Sequence, residues 1–186
     1  MNRTRPRTGR TIDMKTLLLT IIAAGILTGC GKPKPVMDIW TAAGTGNTEA
    51  IKQHVAAGTD LNAKEPSGGS TPLLVAALYG QTEAARLLIE KGAKLEIKNN
   101  DGATPLLVAV FFCQPETAKL FLEKGADPHA QNNRGETPLD TVAGRWTPEL
   151  ESLYVSIAGV LQLKLDLEKI KRVRPEMADL LRKHGG

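Results

Sequence analysis

The tripeptide Thr-Pro-Leu occurs three times in this chain of 186 residues, beginning at positions 71, 104 and 137, so successive copies are 33 residues apart. A fixed period of this length is typical of a repeat array, whose units are too small to bury their apolar side chains alone and bury them against their neighbours. The intervening segments repeat as well, since residues 87–93 (LLIEKGA) align with residues 120–126 (LFLEKGA). The spacing therefore predicts a stack of similar units.

Each unit is predicted to contain two short helices. Thr71 can cap a helix whose first turn holds Pro72, where a missing N–H costs no hydrogen bond. An apolar helix follows and Gly80 interrupts it. A second helix then runs to Gly92, which can take the left-handed conformation that ends many helices. One unit is thus two antiparallel helices and a loop.

These residues resemble the ankyrin repeat. The Thr-Pro-Leu opening, the Ala-Ala pair at 76–77, Gly80, Leu-Leu at 87–88 and Gly-Ala at 92–93 all have counterparts in the family's pattern. The His that follows Thr-Pro-Leu in the family is replaced in every copy, by Leu74, Leu107 and Asp140. The resemblance implies an all-α fold, an ankyrin-repeat α-solenoid, and a function in binding another protein.

About four helix-turn-helix units are expected. Their approximate ranges are 37–69, 70–102, 103–135 and 136–186. The first unit lacks Thr-Pro-Leu, but residues 39–43 (IWTAA) align with residues 73–77 (LLVAA) and indicate an N-terminal cap. The last unit is predicted to be split by a helical insertion over about 145–174, because its closing residues 180–186 come 27 residues later than the register requires.

The insertion is predicted to begin with a helix at Thr147-Pro148-Glu149. Apolar residues then recur three or four positions apart on one face, namely Leu150, Leu153, Tyr154, Ile157, Val160 and Leu161. This face is expected to dock on the stack. Leucines at every second position from 163 to 167 predict an extended connection, followed by a short helix over about 167–173.

The N-terminal residues predict export. An apolar run over residues 17–27 is too short to span a bilayer as a mature helix and follows Lys15, as in a secretory signal. The next residues, Leu27-Thr28-Gly29-Cys30, resemble a bacterial lipobox, which implies lipidation of Cys30. Residues 1–29 are then an N-terminal extension and lipoprotein signal peptide, in which Met14 is a plausible start and residues 1–13 are dispensable. A chance cysteine after a signal cleaved elsewhere is the alternative.

Residues 30–36 are expected to form a short tether stiffened by proline. Lipoproteins that stay at the inner membrane commonly carry Asp after the lipidated Cys, and this chain has Gly31. The resemblance therefore implies a protein of the bacterial cell envelope that is lipid-anchored at the outer membrane and faces the periplasm.

The net charge of +4 does not indicate nucleic-acid binding. Five of the 24 basic residues and one of the 20 acidic residues precede Cys30, which leaves 19 of each in the expected mature chain. A local basic run remains over residues 169–174 (KIKRVR). It is either a solvated helix face or a contact for anionic lipid or a partner's acidic patch.

No pattern of a catalytic, metal or cofactor site is found. The three histidines occupy unrelated repeat positions, and no His/Cys/Asp/Glu spacing matches a metal site. Cys113 stands where the preceding unit has Gly80. It is either a small side chain that fills the inter-helix turn or a reactive or intermolecular thiol. We expect a monomer that is not an enzyme, takes no cofactor or metal and does not bind nucleic acid.

Candidate partner-binding residues come from the aromatic side chains and the loop tips. Four of the seven aromatic residues fall at or just past the end of a unit's first helix, a place that lines the partner groove in the ankyrin family: Tyr79, Phe111, Phe112 and Trp146. Phe111 and Trp146 could instead form the floor under the inserted helix. The loop residues that vary between units, and so could set partner identity, are Asp101, Arg134 and Glu136.

The function expected from these features is a non-catalytic protein–protein interaction module tethered to the cell envelope. A structural envelope protein and an inhibitor or immunity-type binder of a toxin or envelope enzyme are the alternatives. An enzyme is the less favoured possibility, because it would require a cluster of polar side chains that the fold brings together from distant repeats.

Overall fold

A computed structural model describes residues 35–186, which contain nine α-helices and no strand. The predicted start at Met14, the N-terminal extension, the signal peptide with its lipobox and most of the tether lie outside the described residues. The helices are α1 (Ile39–Gly44), α2 (Thr48–Ala57), α3 (Pro72–Leu78), α4 (Thr82–Glu90), α5 (Pro105–Phe111), α6 (Pro115–Glu123), α7 (Pro138–Ala143), α8 (Pro148–Leu161) and α9 (Leu167–Lys183).

The repeated threonines start the first helix of units two to four. Thr71 and Thr104 are buried, and their hydroxyls accept hydrogen bonds of 3.3 Å from the backbone N–H groups of Leu74 and Leu107. Thr137 does the same for Asp140, whose carboxylate accepts in return from the Thr137 backbone N–H at 2.9 Å. The predicted caps are confirmed, and each satisfies a donor that the first helical turn leaves free.

The helices form two layers of an α-solenoid, as the repeat pattern predicts. The first layer holds α1, α3, α5 and α7 side by side, and the second holds α2, α4 and α6. Helix α9 packs on α7 and α6, so it occupies the second-helix position of the last unit. The continuous core between the layers includes Leu73, Leu106, Leu88, Phe121, Met177 and Leu181, all with an exposed fraction of 0%.

Side-chain amides join the loops of successive units. Asn133 donates its side-chain N–H to the Asn100 carbonyl at 2.8 Å, and Asn100 donates to the Ser67 carbonyl at 3.3 Å. Gly102 lies beneath this contact at φ +75°, where a Cβ atom would come within 2.7 Å of the Asn133 backbone nitrogen. The loop tips are thereby held in the same 33-residue register as the helices.

The end of the insertion differs from the sequence expectation. The extended connection is present, but the short helix predicted over about 167–173 is the first part of the 17-residue helix α9, which continues through Pro175. Proline in a helix interior removes a hydrogen bond and usually marks a boundary. Here the helix stays continuous because buried side chains lie on both sides of the proline. These are Ile170 and Val173 before it and Met177 and Leu181 after it.

Helix α8 also differs from its prediction. Its apolar face was expected to dock along its length, but Tyr154 is the one residue of this helix that is buried. Leu153, Val160 and Leu161 are 37%, 82% and 44% exposed. The C-terminal half of α8 therefore stands away from the stack with its apolar side chains uncovered. No helix within residues 35–186 combines the length and hydropathy needed to cross a bilayer.

Candidate functional site

Helix α8 and the first-helix layer enclose a cleft of about 820 Å³. One wall consists of apolar side chains from α3 and α5, namely Leu74, Val75, Leu78, Leu107, Val108 and Phe111. The facing wall consists of Leu153, Ile157, Val160 and Leu161 from α8. The volume lies within the range of natural ligand pockets, about 300–1,000 Å³.

Tyr154 holds α8 in place and so creates the cleft. Its ring stacks on Phe111 with a centroid distance of 4.6 Å and on Trp146 with a distance of 5.5 Å. Its hydroxyl donates to the Phe111 carbonyl at 2.7 Å and accepts from the Arg174 guanidinium at 3.2 Å. Burial raises the pKa of Tyr154 to about 12. This single large anchor fixes the helix above α5 while the smaller side chains beyond it remain apart from the stack.

The rim of the cleft is polar and comes from the loop tips. Asp101 and Arg134 are exposed, and both line the cleft together with side-chain amides of the same loops. Arg134 forms an ion pair with Glu136 at 2.8 Å. A hydrogen bond from the Asn132 amide, with a further one from Arg134, lowers the pKa of Glu136. Glu136 thus orients Arg134 but does not itself line the cleft.

Glu65 also lines the cleft, but its carboxylate is engaged by its own loop. It accepts hydrogen bonds from the Ser67 hydroxyl and from the backbone N–H groups of Ser67, Gly68 and Ser70. The Ser67 hydroxyl is the main cause that lowers the pKa of Glu65 to about 2. This carboxylate stabilises the loop in its ionised form, and its lone pairs are already used.

The four candidate aromatic residues occupy three different environments. Tyr79 is 46% exposed but does not line the cleft, whereas Phe112 lines it and is only 9% exposed. Phe112 stands 33 residues after Tyr79, yet its ring is largely buried because it packs edge-on against Phe111 at 5.1 Å. Phe111 and Trp146 support α8 through Tyr154, which was the alternative interpretation of these two residues.

Sequence reasoning missed the second wall. Leu153, Ile157, Val160 and Leu161 were interpreted as a buried docking face, yet they face the cleft and include three exposed side chains. A signal was present, since Val155 and Ala158 make α8 apolar outside the predicted docking face as well. The cleft brings together Phe111, Phe112, Asp101 and Arg134 from the predicted set, and it leaves out Tyr79, Glu136 and Trp146.

Cys113 is a buried structural residue. It is 1% exposed and takes the left-handed backbone conformation, with φ +52°, that Gly80 takes one unit earlier at φ +66°. Its thiol lies 3.8 Å from the Ile170 carbonyl, and burial raises its pKa to about 11. A thiol with a raised pKa is a poor nucleophile at neutral pH. Within the part of the chain that the structure describes, no group of three or more His, Cys, Asp or Glu could hold a metal ion.

Comparison with known proteins identifies the repeats. A family model of ankyrin repeats, comprising three copies, matches residues 39–132, just over half of the chain. The chain belongs to the ankyrin-repeat family. It is also similar to an ankyrin repeat-containing protein of the fission yeast Schizosaccharomyces pombe, with 35% identity over 64 residues. That alignment covers 34% of this ankyrin-repeat protein and 30% of the relative's length.

Family membership assigns the general role. Ankyrin repeats are protein–protein interaction modules and are generally non-catalytic. The matched region ends before α7, so the cleft wall formed by α8 lies outside it. The first-helix wall of the cleft is thus common ankyrin architecture, whereas the facing wall is an addition in this ankyrin-repeat protein.

Proposed function

We propose that this chain binds a segment of another protein in the cleft between α8 and the first helices of the repeats. The observation that carries the proposal is the pair of facing apolar walls, of which Val160 is 82% exposed. Uncovered apolar side chains that face each other across a gap are stabilised when a partner displaces the water between them. The function is recognition, and the proposal includes no catalytic step.

The walls and rim define the chemistry of the partner segment. Two apolar walls favour a segment whose central side chains are large and apolar. The charged lining residues are Glu65, Asp101 and Arg134, and Glu65 and Arg134 are already engaged within their own loops, so charge alone does not select an acidic or a basic partner. Among the loop amides that line the cleft, the Asn99 side-chain nitrogen and the Asn133 side-chain oxygen form no hydrogen bond within residues 35–186, and these two groups can bind a partner. We therefore infer an apolar segment with uncharged, hydrogen-bonding flanks.

The envelope location is the second part of the proposal. It is supported by the sequence Leu27-Thr28-Gly29-Cys30, which directly follows the apolar run and resembles a lipobox. A lipid on Cys30 would tether the ankyrin-repeat domain to the membrane through a few residues, since the family match begins at residue 39. The protein is then a lipoprotein that presents its cleft to partners in the periplasm.

Exchanging Val160 for aspartate is expected to weaken partner binding by about tenfold or more, because it places a charge on one apolar wall. Val155→Asp is the matched control, since Val155 is 56% exposed on the same helix but does not line the cleft. Both changes should leave the free energy of unfolding within about 0.5 kcal/mol of the parent. The measurement is capture of envelope proteins by each immobilised variant, followed by titration of the captured protein.

Two results would contradict the cleft proposal. The first is a stable Val160→Asp variant that captures the same protein with unchanged affinity. The second is an equal loss of affinity in Val155→Asp, which would place the binding surface on the outer face of α8.

Cys30→Ser is expected to abolish acylation and release the protein from the membrane, or to stop its maturation there. The serine hydroxyl cannot form the thioether that links lipid to the cysteine sulfur. Metabolic labelling with a clickable fatty acid and fractionation of the cell envelope measure both effects. An unlabelled parent protein, or a Cys30→Ser variant with unchanged gel mobility and membrane retention, would disprove the tether while leaving the cleft proposal standing.

A further inference from the structure

A second cavity, of about 310 Å³, lies between the linker after α7 and one face of α9. It shares no lining residue with the cleft. Basic side chains dominate its charged lining, with Arg145 from the linker and Lys171, Arg174 and Arg182 from α9, against the single carboxylate of Asp179. The excess of positive charge in this cavity distinguishes it from the cleft, whose charged lining residues are Glu65, Asp101 and Arg134.

Helical periodicity divides the basic run of residues 169–174 between two environments. Lys169 and Arg172 are exposed and do not line the cavity, while Lys171 and Arg174 do. The run is therefore divided between a solvated face, which carries Lys169 and Arg172, and the cavity, which Lys171 and Arg174 line. Two of its four basic side chains thus lie at this cavity.

Arg174 is the central residue because its guanidinium is buried without a carboxylate partner. The residue is 4% exposed, and among residues 35–186 it forms no ion pair within 4.0 Å. It donates to the Thr141 carbonyl at 2.8 Å, the Gly144 carbonyl at 3.4 Å and the Tyr154 hydroxyl at 3.2 Å. The guanidinium also lies over the Trp146 ring, 5.9 Å from its centroid. The ring and the neutral acceptors stabilise the cation in part but supply no negative charge, and a buried charge without an ionic partner is unfavourable.

The donors that remain on Arg174 suit an oxyanion. A guanidinium has five N–H groups, and the three bonds use two on Nη1 and one on Nη2. Nε–H and the second Nη2–H are left. Free N–H donors on a planar guanidinium bind the oxygens of a phosphate or carboxylate well.

The remaining cations differ in how far they are already paired. Lys171 forms ion pairs with Glu168 at 2.9 Å and Glu151 at 3.4 Å, and Arg182 forms one with Asp179 at 2.9 Å. Arg145 is exposed at the cavity and has no ion pair within the described part of the chain. Arg145 and Arg174 are therefore the two cations without a carboxylate partner.

We propose that this cavity binds a phosphate group, with Arg174 inside it and Arg145 and Lys171 beside it. Phosphate is favoured over carboxylate because two unpaired cations line the site, and a phosphate dianion carries two negative charges and three strong acceptor oxygens where a carboxylate carries one charge and two oxygens. The source is a free phosphate or a small phosphomonoester, since the buried Arg174 cannot reach a flat bilayer surface. The proposal does not rest on partner binding in the cleft, although Arg174 donates to the hydroxyl of Tyr154, which anchors one wall of the cleft.

The test is isothermal titration of the full chain, in a non-ionic detergent, with inorganic phosphate at constant ionic strength. We expect saturable binding with one site per chain, and about three- to tenfold weaker binding in Arg145→Gln. Arg172→Gln is the matched control, because it removes the same charge from an exposed residue outside the cavity, and its affinity should equal that of the parent. Arg174→Lys keeps the charge but loses the planar edge, and it should weaken binding at least as much as Arg145→Gln.

Three outcomes overturn the proposal. One is the absence of saturable phosphate binding by the folded parent chain. Another is an equal loss in Arg172→Gln and Arg145→Gln, which would show diffuse attraction to the basic run. In the third, the chain binds phosphatidylcholine vesicles that contain phosphatidic acid but does not bind free phosphate. That result would show that the basic side chains bind a lipid surface. If Arg174→Lys fails to fold, the comparison of Arg145→Gln with Arg172→Gln still tests whether phosphate binds in this cavity.

Discussion

Tyr154→Ala is expected to lower the free energy of unfolding by about 3–5 kcal/mol, the range for removing a large aromatic side chain from a core. Tyr154 is fully buried and stacks between Phe111 and Trp146. Because it is the one buried residue of α8, its loss should also release that helix from the stack. Urea denaturation measures the first effect, and increased hydrogen exchange across residues 148–161 measures the second.

Tyr154→Phe separates the ring from its hydroxyl. The phenylalanine ring keeps both stacking contacts but leaves the Phe111 carbonyl and one Arg174 N–H without this partner. We expect a smaller loss of about 1–2 kcal/mol, the cost of leaving buried polar groups unpaired. Equal stabilities for the alanine variant and the parent would contradict the assigned role of Tyr154 as the anchor of α8.

Deletion of residues 175–186 is expected to cost at least about 5 kcal/mol, because truncating even one buried leucine or methionine typically costs about 2–5 kcal/mol. The deletion removes Met177, Ala178 and Leu181, which are 0%, 3% and 0% exposed and belong to the continuous core. It also uncovers the apolar sides of α6 and α7 at the end of the array, which terminal repeats normally protect. Thermal unfolding followed by circular dichroism measures the loss.

A shorter deletion provides the control. Removing residues 183–186 leaves every buried residue of α9 in place, since Leu181 is the last of them. We expect a change of less than about 1 kcal/mol, within the range of helix-end effects. An unchanged melting temperature after the longer deletion would show that α9 does not complete the stack.

The repeated part of the fold follows from local chemistry that recurs at one spacing. Thr71, Thr104 and Thr137 each precede a proline, and each caps a helix as predicted. Glycine at positions 80 and 92 takes the left-handed conformation where the helices were expected to end. These features depend on residues within a few positions of each other, so the sequence is sufficient to predict them.

The insertion was harder to predict because its structure depends on contacts distant in sequence. Pro175 is a local signal for a helix boundary, but buried residues on both sides of it keep α9 continuous. The apolar periodicity of α8 correctly indicated a helix but overestimated its burial. How much of an amphipathic face is covered depends on the surface it packs against, and here Tyr154 is buried and Leu150 partly buried while the residues after them are not covered.

The candidate site was predicted only in part, again because its structure depends on contacts distant in sequence. The 33-residue register relates Tyr79 to Phe112, yet one ring is 46% exposed and the other 9%. Phe112 packs against Phe111, which lies under α8, while Tyr79 lies one unit away from that helix. Repeat symmetry predicts equivalent backbone positions, and the insertion gives those positions different surroundings. The lipobox, the start at Met14 and the dispensability of residues 1–13 remain predictions.

The most direct test of partner binding in the cleft is site-specific photo-cross-linking in living cells. A photoreactive amino acid at position 160 lies in the cleft, and the same residue at position 155 lies on α8 outside it. If the cleft binds a partner, position 160 gives a discrete covalent adduct with one protein and position 155 does not. A folded, correctly located protein that gives no adduct from position 160, or gives the same adduct from position 155, would contradict partner binding in the cleft.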